Sequence, residues 1–459
     1  MIQVITDKSG FEYDIHSLVK AFFPAEDVFV SLPEKEKPAD RRIEVTVPEG
    51  ENRIAVKNRL KQELYQRLSA ETGRALPWGS LTGIRPVKIA MGFLTEGKEE
   101  EIRPYMQKTY FCSDEKIDLA TEIAARELAV IRRLSKPGGY SLYAGIPFCP
   151  TTCAYCSFAS YPVSAFSDRI GPYLAALKEE LRAAAELFKD RPLLTVYVGG
   201  GTPTALSAEE LAVLLKEIRE CFPVQDALEF TVEAGRPDSI TEEKLSVMKE
   251  AGVNRISVNP QTFSQKTLDL IGRRHTVEQT VESFELARKC GFTNINMDLI
   301  MGLPGETEED VRHTMAEVER LSPDDITVHS LALKRASRLK IEWEHYRTYQ
   351  MENTAAQMKL AESVCRRMER FPYYLYRQKN MAGNFENVGY AGEGKEGLYN
   401  IFMMEEVGDI AACGAGTVSK RVFPAGRIER CDTVKDLDLY ISRIDEMVER
   451  KRKLFGTER

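Results

Sequence analysis

The chain of 459 residues is 43% hydrophobic and 29% charged, which is ordinary for a globular protein of two or three domains. Its formal net charge is -7, from 70 acidic and 63 basic side chains. This balance excludes the broad basic surface that dominates nucleic-acid binding, so we expect no nucleic-acid partner.

The distribution of apolar residues and cysteines favours a cytoplasmic protein. The sequence does not open with a basic segment followed by an apolar run, and no apolar stretch reaches the length of about 18 residues that a membrane span needs. The nine cysteines are too sparse for a disulfide scaffold, and three of them fall within eight residues. This pattern favours a reducing compartment and a metal site over cross-links.

The first 135 residues predict an α+β extension. RRIEVTVPEG at 41–50 alternates as a strand does, and residues 52–73 have a helical pattern. The run PWGSLTGIRPVKIAMGF at 77–93 has the Gly and Pro content of a turn, and we expect Trp78 to be a buried packing anchor.

Residues 136–335 predict a domain in which strands and helices alternate. Ser207 and Thr241 stand where helix N-caps are expected, each followed by acidic residues. Strands separated by helices predict a parallel sheet, either open or closed into a partial (β/α)6 TIM-like barrel, with the active site at the carboxyl ends of the strands. The strand candidates are 141–146, 193–199, 228–234, 254–260, 294–300 and 325–331, and the helix candidates are 171–189, 207–220, 241–251, 264–290 in two pieces and 307–321.

The alternation stops near residue 336. A single long helix is predicted over 341–370, followed by a segment rich in Tyr, Asn and Gly and by a charged helical tail. We therefore predict a mostly helical C-terminal domain, residues 336–459, that covers the substrate.

Three cysteines form the strongest chemical signal in the chain. Cys149, Cys153 and Cys156 have the spacing C-x3-C-x2-C directly after the first strand of the alternating series. Thiolates bind iron–sulfur clusters and zinc alike, but a structural zinc site needs four ligands, and the nearest histidine in sequence is His275. Three ligands would leave one iron of a 4Fe-4S cluster open to another molecule.

This loop, with the aromatic Tyr155 before its last cysteine, resembles the signature of the radical S-adenosylmethionine (SAM) superfamily. The resemblance implies that SAM binds the open iron through its amino and carboxyl groups. One electron from the reduced cluster would then cleave a carbon–sulfur bond and release methionine and a 5′-deoxyadenosyl radical.

The strand ends that follow the cysteines resemble one branch of that superfamily, the oxygen-independent coproporphyrinogen III oxidase (coproporphyrinogen dehydrogenase) family. GGGTPT at 199–204 is similar to the glycine motif that holds the SAM amino group, and the run DLIMGLPGET is characteristic of the branch. The N-terminal extension resembles a longer, HemZ-like subgroup. The residues that the resemblance implies as cofactor contacts are Tyr143, Tyr155, Gly200, Gly201, Thr202, Glu233, Gln261, Arg273, Asp298 and Ala332.

Two positions depart from the family pattern. The family has a His two residues after the Tyr that matches Tyr143, where this chain has Gly145. It often adds a fourth Cys two residues after the third, where this chain has Phe158. The resemblance therefore supports the cluster and SAM site more strongly than it supports the identity of the substrate.

The resemblance implies oxidative decarboxylation of propionate side chains of coproporphyrinogen III to vinyl groups, which yields protoporphyrinogen IX in haem biosynthesis. It also implies an electron donor of the flavodoxin or ferredoxin type. Candidate cationic anchors for the substrate carboxylates are Lys334, Arg335, Arg338, Arg377 and Lys379. Two alternatives are radical SAM methyl transfer to, or modification of, a tetrapyrrole, and a haem-binding chaperone without oxidase activity.

Overall fold

The N-terminal part of the computed structural model is a small unit with its own apolar core. The structure describes residues 1–24, 26–35, 38–83, 85–378 and 385–456. Strands β1 (Ile2–Thr6), β2 (Val28–Ser31) and β3 (Arg41–Val45) form a parallel sheet in the order β2-β1-β3. Helices α1 (Glu12–Phe22) and α2 (Arg53–Thr72) contribute buried side chains to the same core. The strand and the helix predicted at 41–73 are confirmed.

Three helices connect this unit to the rest of the chain: α3 (Val87–Thr95), α4 (Glu99–Tyr110) and α5 (Asp114–Leu134). Trp78, which precedes them, is fully buried, and its Nε1–H donates to Glu386 Oε2 at 2.7 Å. The expected packing anchor is therefore confirmed, and its partner is a carboxylate far along the chain.

The six predicted parallel strands are all present and lie side by side in chain order. They are β4 (Tyr140–Ile146), β7 (Leu193–Gly200), β8 (Glu229–Glu233), β9 (Arg255–Ser257), β10 (Ile295–Met301) and β11 (Asp325–Ser330). The short pair β5 (Phe148–Cys149) and β6 (Tyr161–Pro162) brackets the cysteine loop.

The helices between these strands begin within a residue or two of the predicted positions, except the first, which was expected at 171 and begins at Val163. They are α6 (Val163–Phe188), α7 (Ala208–Cys221), α8 (Glu242–Glu250), α9 (Gln265–Leu270), α10 (Val277–Lys289) and α11 (Glu308–Leu321). The side chain of Ser207 accepts from the Glu210 amide, and that of Thr241 accepts from the Lys244 amide, so both predicted N-caps are confirmed.

The single long helix expected over 341–370 is wrong. The segment contains α12 (Arg338–Ile341), α13 (Trp343–Tyr346) and α14 (Ala355–Arg367). Thr354 and Gln357 form a capping box that starts α14 as a new helix.

The remaining elements complete an eleven-stranded sheet. They are β12 (Phe371–Tyr376), β13 (Asn387–Ala391), α15 (Leu398–Glu405), β14 (Asp409–Cys413), β15 (Val418–Val422), β16 (Ile428–Asp432), α16 (Leu437–Ser442) and α17 (Ile444–Phe455). The strand order is β12-β13-β11-β10-β9-β8-β7-β4-β14-β15-β16. The expected helices after residue 336 are present, but this segment also supplies five strands.

The predicted fold class, an α/β partial barrel with added helical segments, is confirmed. Among the described strands, β12 and β16 end the sheet without pairing to each other, so the barrel is not closed. The domain limits at 135 and 335 stay predictions. No described helix combines the length and apolarity that a membrane span requires.

Candidate functional site

The concave inner face of the six-stranded core, which we call the lumen, is lined by polar side chains. The residues between them on the same strands, such as Leu142, Val196 and Val232, are buried in the apolar core under the helices. TIM-barrel interiors are commonly filled by bulky branched residues, so this lining is unusual. The lumen residues are Ser141, Tyr143, Gly145, Thr195, Tyr197, Gly199, Glu229, Thr231, Glu233, Arg255, Ser257, Asn296, Asp298, Asp325, Thr327 and His329, and Ile300 is the apolar residue on the same face of β10.

Several lumen atoms lack a hydrogen-bond partner within the described part of the protein. They are Thr231 Oγ1, Ser257 Oγ, Arg255 Nε and Asp325 Oδ1, all buried. Buried polar groups are nearly always paired with protein atoms or water, so the lumen has the chemistry to hold water or a polar ligand.

The cysteine loop follows β4, and the surrounding structure holds it on two sides. The Ala154 amide donates to Ile271 O at 2.8 Å, and the Leu339 amide donates to Ala154 O at 2.9 Å. The loop is therefore fixed both to the segment after α9 and to α12. The cysteine spacing predicted a metal-cluster site, but nothing in the sequence predicted the hydrogen bonds that hold the loop.

The three cysteines are free thiols, and their surroundings differ. Cys153 is 8% exposed, and Arg236 Nη1 lies 3.9 Å from its Sγ. Burial raises the pKa of the Cys149 thiol, and it raises the pKa of Cys156 to about 11. A bound iron would oppose this shift, because a coordinating cation favours the thiolate.

The donor set fits an iron–sulfur cluster better than a single ion. In the described part of the chain, no three His, Cys, Asp or Glu side chains are arranged to hold one metal ion. A cubane cluster binds each thiolate to a different iron and so spreads its ligands more widely. Three soft sulfur donors beside the Arg236 guanidinium suit such a cluster, whose ligands carry negative charge.

The glycine motif after β7 approaches the cysteine loop closely. The Gly201 amide donates to Ile146 O, and the Thr202 amide donates to Phe148 O, both at 2.7 Å. A Cβ on Gly201 would lie 2.5 Å from Phe148 O and 3.0 Å from Cys149 Sγ. Only glycine fits this position, which keeps the two loops in contact.

Glu233 ends β8 beneath this motif. The Tyr197 hydroxyl donates to Glu233 Oε1 at 2.5 Å. Burial raises the pKa of Glu233 to about 7, against the lowering effect of the Tyr197 hydrogen bond. Glu233 as a whole is half-buried, so a ligand in the lumen can reach it.

Asp298 lies on β10 within a set of donors. Asn259 Nδ2 donates to Asp298 Oδ2 at 2.8 Å, and Asn296 Nδ2 donates to Oδ1 at 2.7 Å. His329 Nε2 lies 3.8 Å from Oδ1. Burial opposes ionisation, but the contact with His329 and the hydrogen bond from the Asn296 amide hold the pKa of Asp298 below its ordinary value.

Gln261 has a left-handed backbone, with φ of 67°. Its amide donates to Asp298 O at 2.9 Å, and its carbonyl accepts from the Ile300 amide at 3.0 Å. A non-glycine residue in this conformation is strained, and such strain persists where the surroundings impose it. Gln261 is thereby held beside Asp298, and its contact with SAM stays a prediction.

Arg273 joins the cysteine loop to the strand ends. Its Nη1 donates to the Tyr155 hydroxyl at 3.0 Å, and its Nη2 donates to Asn259 O at 2.6 Å and Gly235 O at 2.9 Å. Ala332 lies half-buried just after β11. Whether either residue contacts SAM stays a prediction.

Tyr143 belongs to an aromatic stack that the sequence did not predict in full. Its ring centroid lies 5.9 Å from that of Tyr197 and 6.0 Å from that of Tyr399, and Tyr197 and Tyr399 are 4.6 Å apart. Tyr399 is on α15, more than 250 positions after Tyr143 in the sequence. No local pattern indicates that it reaches the lumen.

The structure explains one departure from the family pattern. A Cβ on Gly145 would lie 2.7 Å from Thr417 Cγ2, so the segment after β14 occupies the space that a larger side chain would need. Phe158, at the second departure, is 75% exposed.

The candidate substrate anchors do not behave alike. Arg377 is buried, and its Nη1 donates to Leu81 O at 2.5 Å, so it has a structural role and is not a free anchor. Arg338 pairs with Glu342, and Arg335 is exposed. Lys379 lies outside the described residues.

Comparison with known proteins agrees with this geometry. The family model "Radical SAM superfamily" matches residues 143–318. The oxygen-independent coproporphyrinogen-III oxidase-like protein HemZ of Bacillus subtilis (strain 168) is 43% identical over 404 residues, which are 87% of this chain and 81% of HemZ. The structure of coproporphyrinogen III oxidase (HemN) from Escherichia coli has a TM-score of 0.53 at 23% identity, with coverage of 70% of this chain and 72% of HemN. That likeness shows a shared fold.

Two further relatives match a shorter stretch. The heme chaperone HemW of Bacillus subtilis is 41% identical over 195 residues, 42% of this chain and 51% of HemW. The oxygen-independent coproporphyrinogen III oxidase of Salmonella typhimurium is 35% identical over 211 residues, 46% of this chain and 45% of that oxidase. The chain thus matches about half the length of these two proteins.

These matches define the class of protein: the chain is a member of the radical SAM superfamily, whose members use a 4Fe-4S cluster and SAM. Within the superfamily, it belongs to the family of oxygen-independent coproporphyrinogen III oxidase-like proteins to which HemZ belongs.

Proposed function

We propose that this protein is a radical SAM enzyme that oxidatively decarboxylates coproporphyrinogen III to protoporphyrinogen IX. The observation that carries the proposal is the position of the three free cysteines, on a loop that the glycine motif joins to a polar lumen containing Glu233 and Asp298. Family membership supports it, since relatives of this chain include a protein named oxygen-independent coproporphyrinogen III oxidase.

In this proposal Cys149, Cys153 and Cys156 hold the cluster. When bound, the cluster and SAM would supply a carbon-centred radical that takes a hydrogen atom from a propionate, and loss of carbon dioxide and of one electron to a one-electron acceptor would then leave the vinyl group. Glu233 accepts hydrogen bonds from the SAM amino group, because an ionised carboxylate is a strong hydrogen-bond acceptor in a largely buried site. The remaining SAM contacts are Tyr143, Tyr155, Gly200, Gly201, Thr202, Gln261, Arg273, Asp298 and Ala332.

The charge of the lumen limits where the substrate binds. Its carboxyl groups, on Glu229, Glu233, Asp298 and Asp325, outnumber the one guanidinium of Arg255. A lumen of this charge repels carboxylates and favours cations. We infer that the substrate propionates stay at the entrance, near Lys334, Arg335 and Arg338, while SAM enters the lumen. A flavodoxin- or ferredoxin-type protein would supply the electron.

A second candidate function is haem delivery. Its support is the 41% identity to the heme chaperone HemW over the stretch that aligns. The two functions differ in their product, since a chaperone releases haem unchanged.

One experiment separates them. Reconstituted protein is incubated anaerobically with SAM, dithionite and coproporphyrinogen III, and the tetrapyrrole is followed by mass. We expect loss of one and then two carboxyl groups, dependent on SAM and on reduction. Cys153→Ala should abolish the reaction, whereas Cys221→Ala, on α7 outside the loop, should not. Haem binding without decarboxylation, while SAM is cleaved, would favour the chaperone, and the gain of one methylene would favour methyl transfer.

A further inference from the structure

Helix α15 begins at the amino-terminal ends of the core strands. The amides of Leu398 and Tyr399 donate to the carboxylate of Glu229, the first residue of β8, at 2.7 and 3.2 Å. An anion at a helix N-terminus is favourable, because the first amides of a helix have no partner within it. This contact fixes the start of α15 against the lumen.

Tyr399 then projects into the lumen. It is 8% exposed, and its ring stacks on Tyr197 with 4.6 Å between centroids. The Tyr197 hydroxyl is the group that donates to Glu233. Tyr399 therefore limits the movement of Tyr197 and excludes water from the side of the lumen opposite the cysteine loop.

The other end of α15 is held by the N-terminal extension. Arg85 Nη1 donates to Met404 O at 2.7 Å and lies 2.8 Å from Glu406 Oε1, and Lys88 also pairs with Glu406. Cations at a helix C-terminus satisfy its free carbonyls and its dipole. Arg85 and Lys88 stand more than 300 positions before α15 in the sequence, so this contact is purely tertiary.

We propose that α15 positions the SAM-binding groups of the lumen, with Tyr399 holding Tyr197 on Glu233, and that the N-terminal extension keeps α15 in place through Arg85 and Lys88. The extension is then part of the site's support and not an independent module. This inference rests on the proposed binding of SAM in the lumen, but it does not depend on which tetrapyrrole the protein converts.

The groups facing Glu233 give the proposal a second readout. They are Tyr143 on β4, Tyr197 on β7, Arg255 on β9, Asp298 on β10 and Tyr399 on α15. Burial is what raises the pKa of Glu233. Displacing Tyr399 admits water, which lowers that pKa and moves the pH dependence of SAM binding to lower pH.

The test measures SAM affinity against pH in cluster-reconstituted protein, together with iron and sulfide content. The variants are Arg85→Met/Lys88→Met, Tyr399→Ala and Tyr399→Phe. The control is Arg103→Met, which removes exposed ion pairs with Asp114 and Asp118 in the same extension without touching α15. We expect the Arg85/Lys88 variant and Tyr399→Ala to bind SAM about tenfold more weakly, with the pH profile shifted down and the cluster retained. Tyr399→Phe keeps the stacked ring and should match the wild type.

The Arg85/Lys88 variant decides the matter, because it leaves the core packing intact whereas Tyr399→Ala also creates a cavity. Unchanged affinity and pH profile in that variant would overturn the role of the extension, and unchanged values in Tyr399→Ala would overturn the role of α15. An equal loss in Arg103→Met would show general destabilisation and overturn both. A wild type that binds SAM but leaves coproporphyrinogen III intact would contradict the proposed substrate only, whereas one that binds no SAM would overturn the proposed function and this inference together.

Discussion

At the scale of single residues, we predict that Glu233 makes SAM binding depend on pH. Burial raises the pKa of Glu233 to about 7, so the carboxyl is protonated below that pH in the free protein, whereas the ionised form accepts best from the N–H groups of the SAM amino group. We expect SAM affinity to fall as pH decreases from about 8 to about 6, and Glu233→Gln to bind weakly with little pH dependence. Titration calorimetry at several pH values measures this. Glu306→Gln is the matched control, since burial also raises the pKa of Glu306 to about 7 but its partner is Thr262. A pH profile that survives in Glu233→Gln would contradict the assignment.

At the scale of elements, β4 and the segment after β14 pack closely against each other at Gly145 and Thr417. Because a Cβ on Gly145 would meet Thr417 Cγ2 at 2.7 Å, Gly145→Ala should lower the free energy of unfolding by about 1–3 kcal/mol through overpacking. Thr417→Ser removes that methyl group and keeps the Oγ1 bond to Gly414 O at 2.8 Å. The double variant should therefore lose less stability than the sum of the single ones, as denaturant unfolding would show. Gly171→Ala is the control, because nothing lies within 4 Å of its Cβ position. Strict additivity would disprove the steric account.

At the scale of the whole molecule, a buried carboxylate joins the N-terminal extension to the sheet. Glu386 accepts from Trp78 and forms an ion pair with Lys116 Nζ at 2.7 Å, and both members of the pair are almost fully buried. Lys116→Met leaves this charge without its cation and should lower the free energy of unfolding by about 3–5 kcal/mol, measured by denaturant unfolding. The double variant Lys116→Met/Glu386→Gln should recover most of the free energy of unfolding that Lys116→Met loses. Lys98→Met, which removes an exposed pair with Glu96, should change it by less than about 1 kcal/mol. Comparable losses in Lys98→Met and Lys116→Met would refute the buried contact.

Local patterns in the sequence were enough to predict the core and the cysteine loop. The six strands, the caps at Ser207 and Thr241 and the C-x3-C-x2-C spacing all depend on residues a few positions apart, and such signals survive without knowledge of the fold. The polar lining of the lumen was also present in the sequence, in the period-two alternation of strands such as EFTVE at 229–233.

Only the tertiary structure decided what surrounds the site. Tyr399 on Tyr197, Thr417 against Gly145, Arg85 on Met404 and Trp78 on Glu386 each join residues separated by 200 to more than 300 positions. The sequence near either partner contains no sign of the other, because such contacts depend on the path of the whole chain and on which edges of the open barrel it crosses. The cysteine loop was therefore predictable from local sequence, whereas the packing around Tyr197 and Glu233 arises from contacts between distant segments.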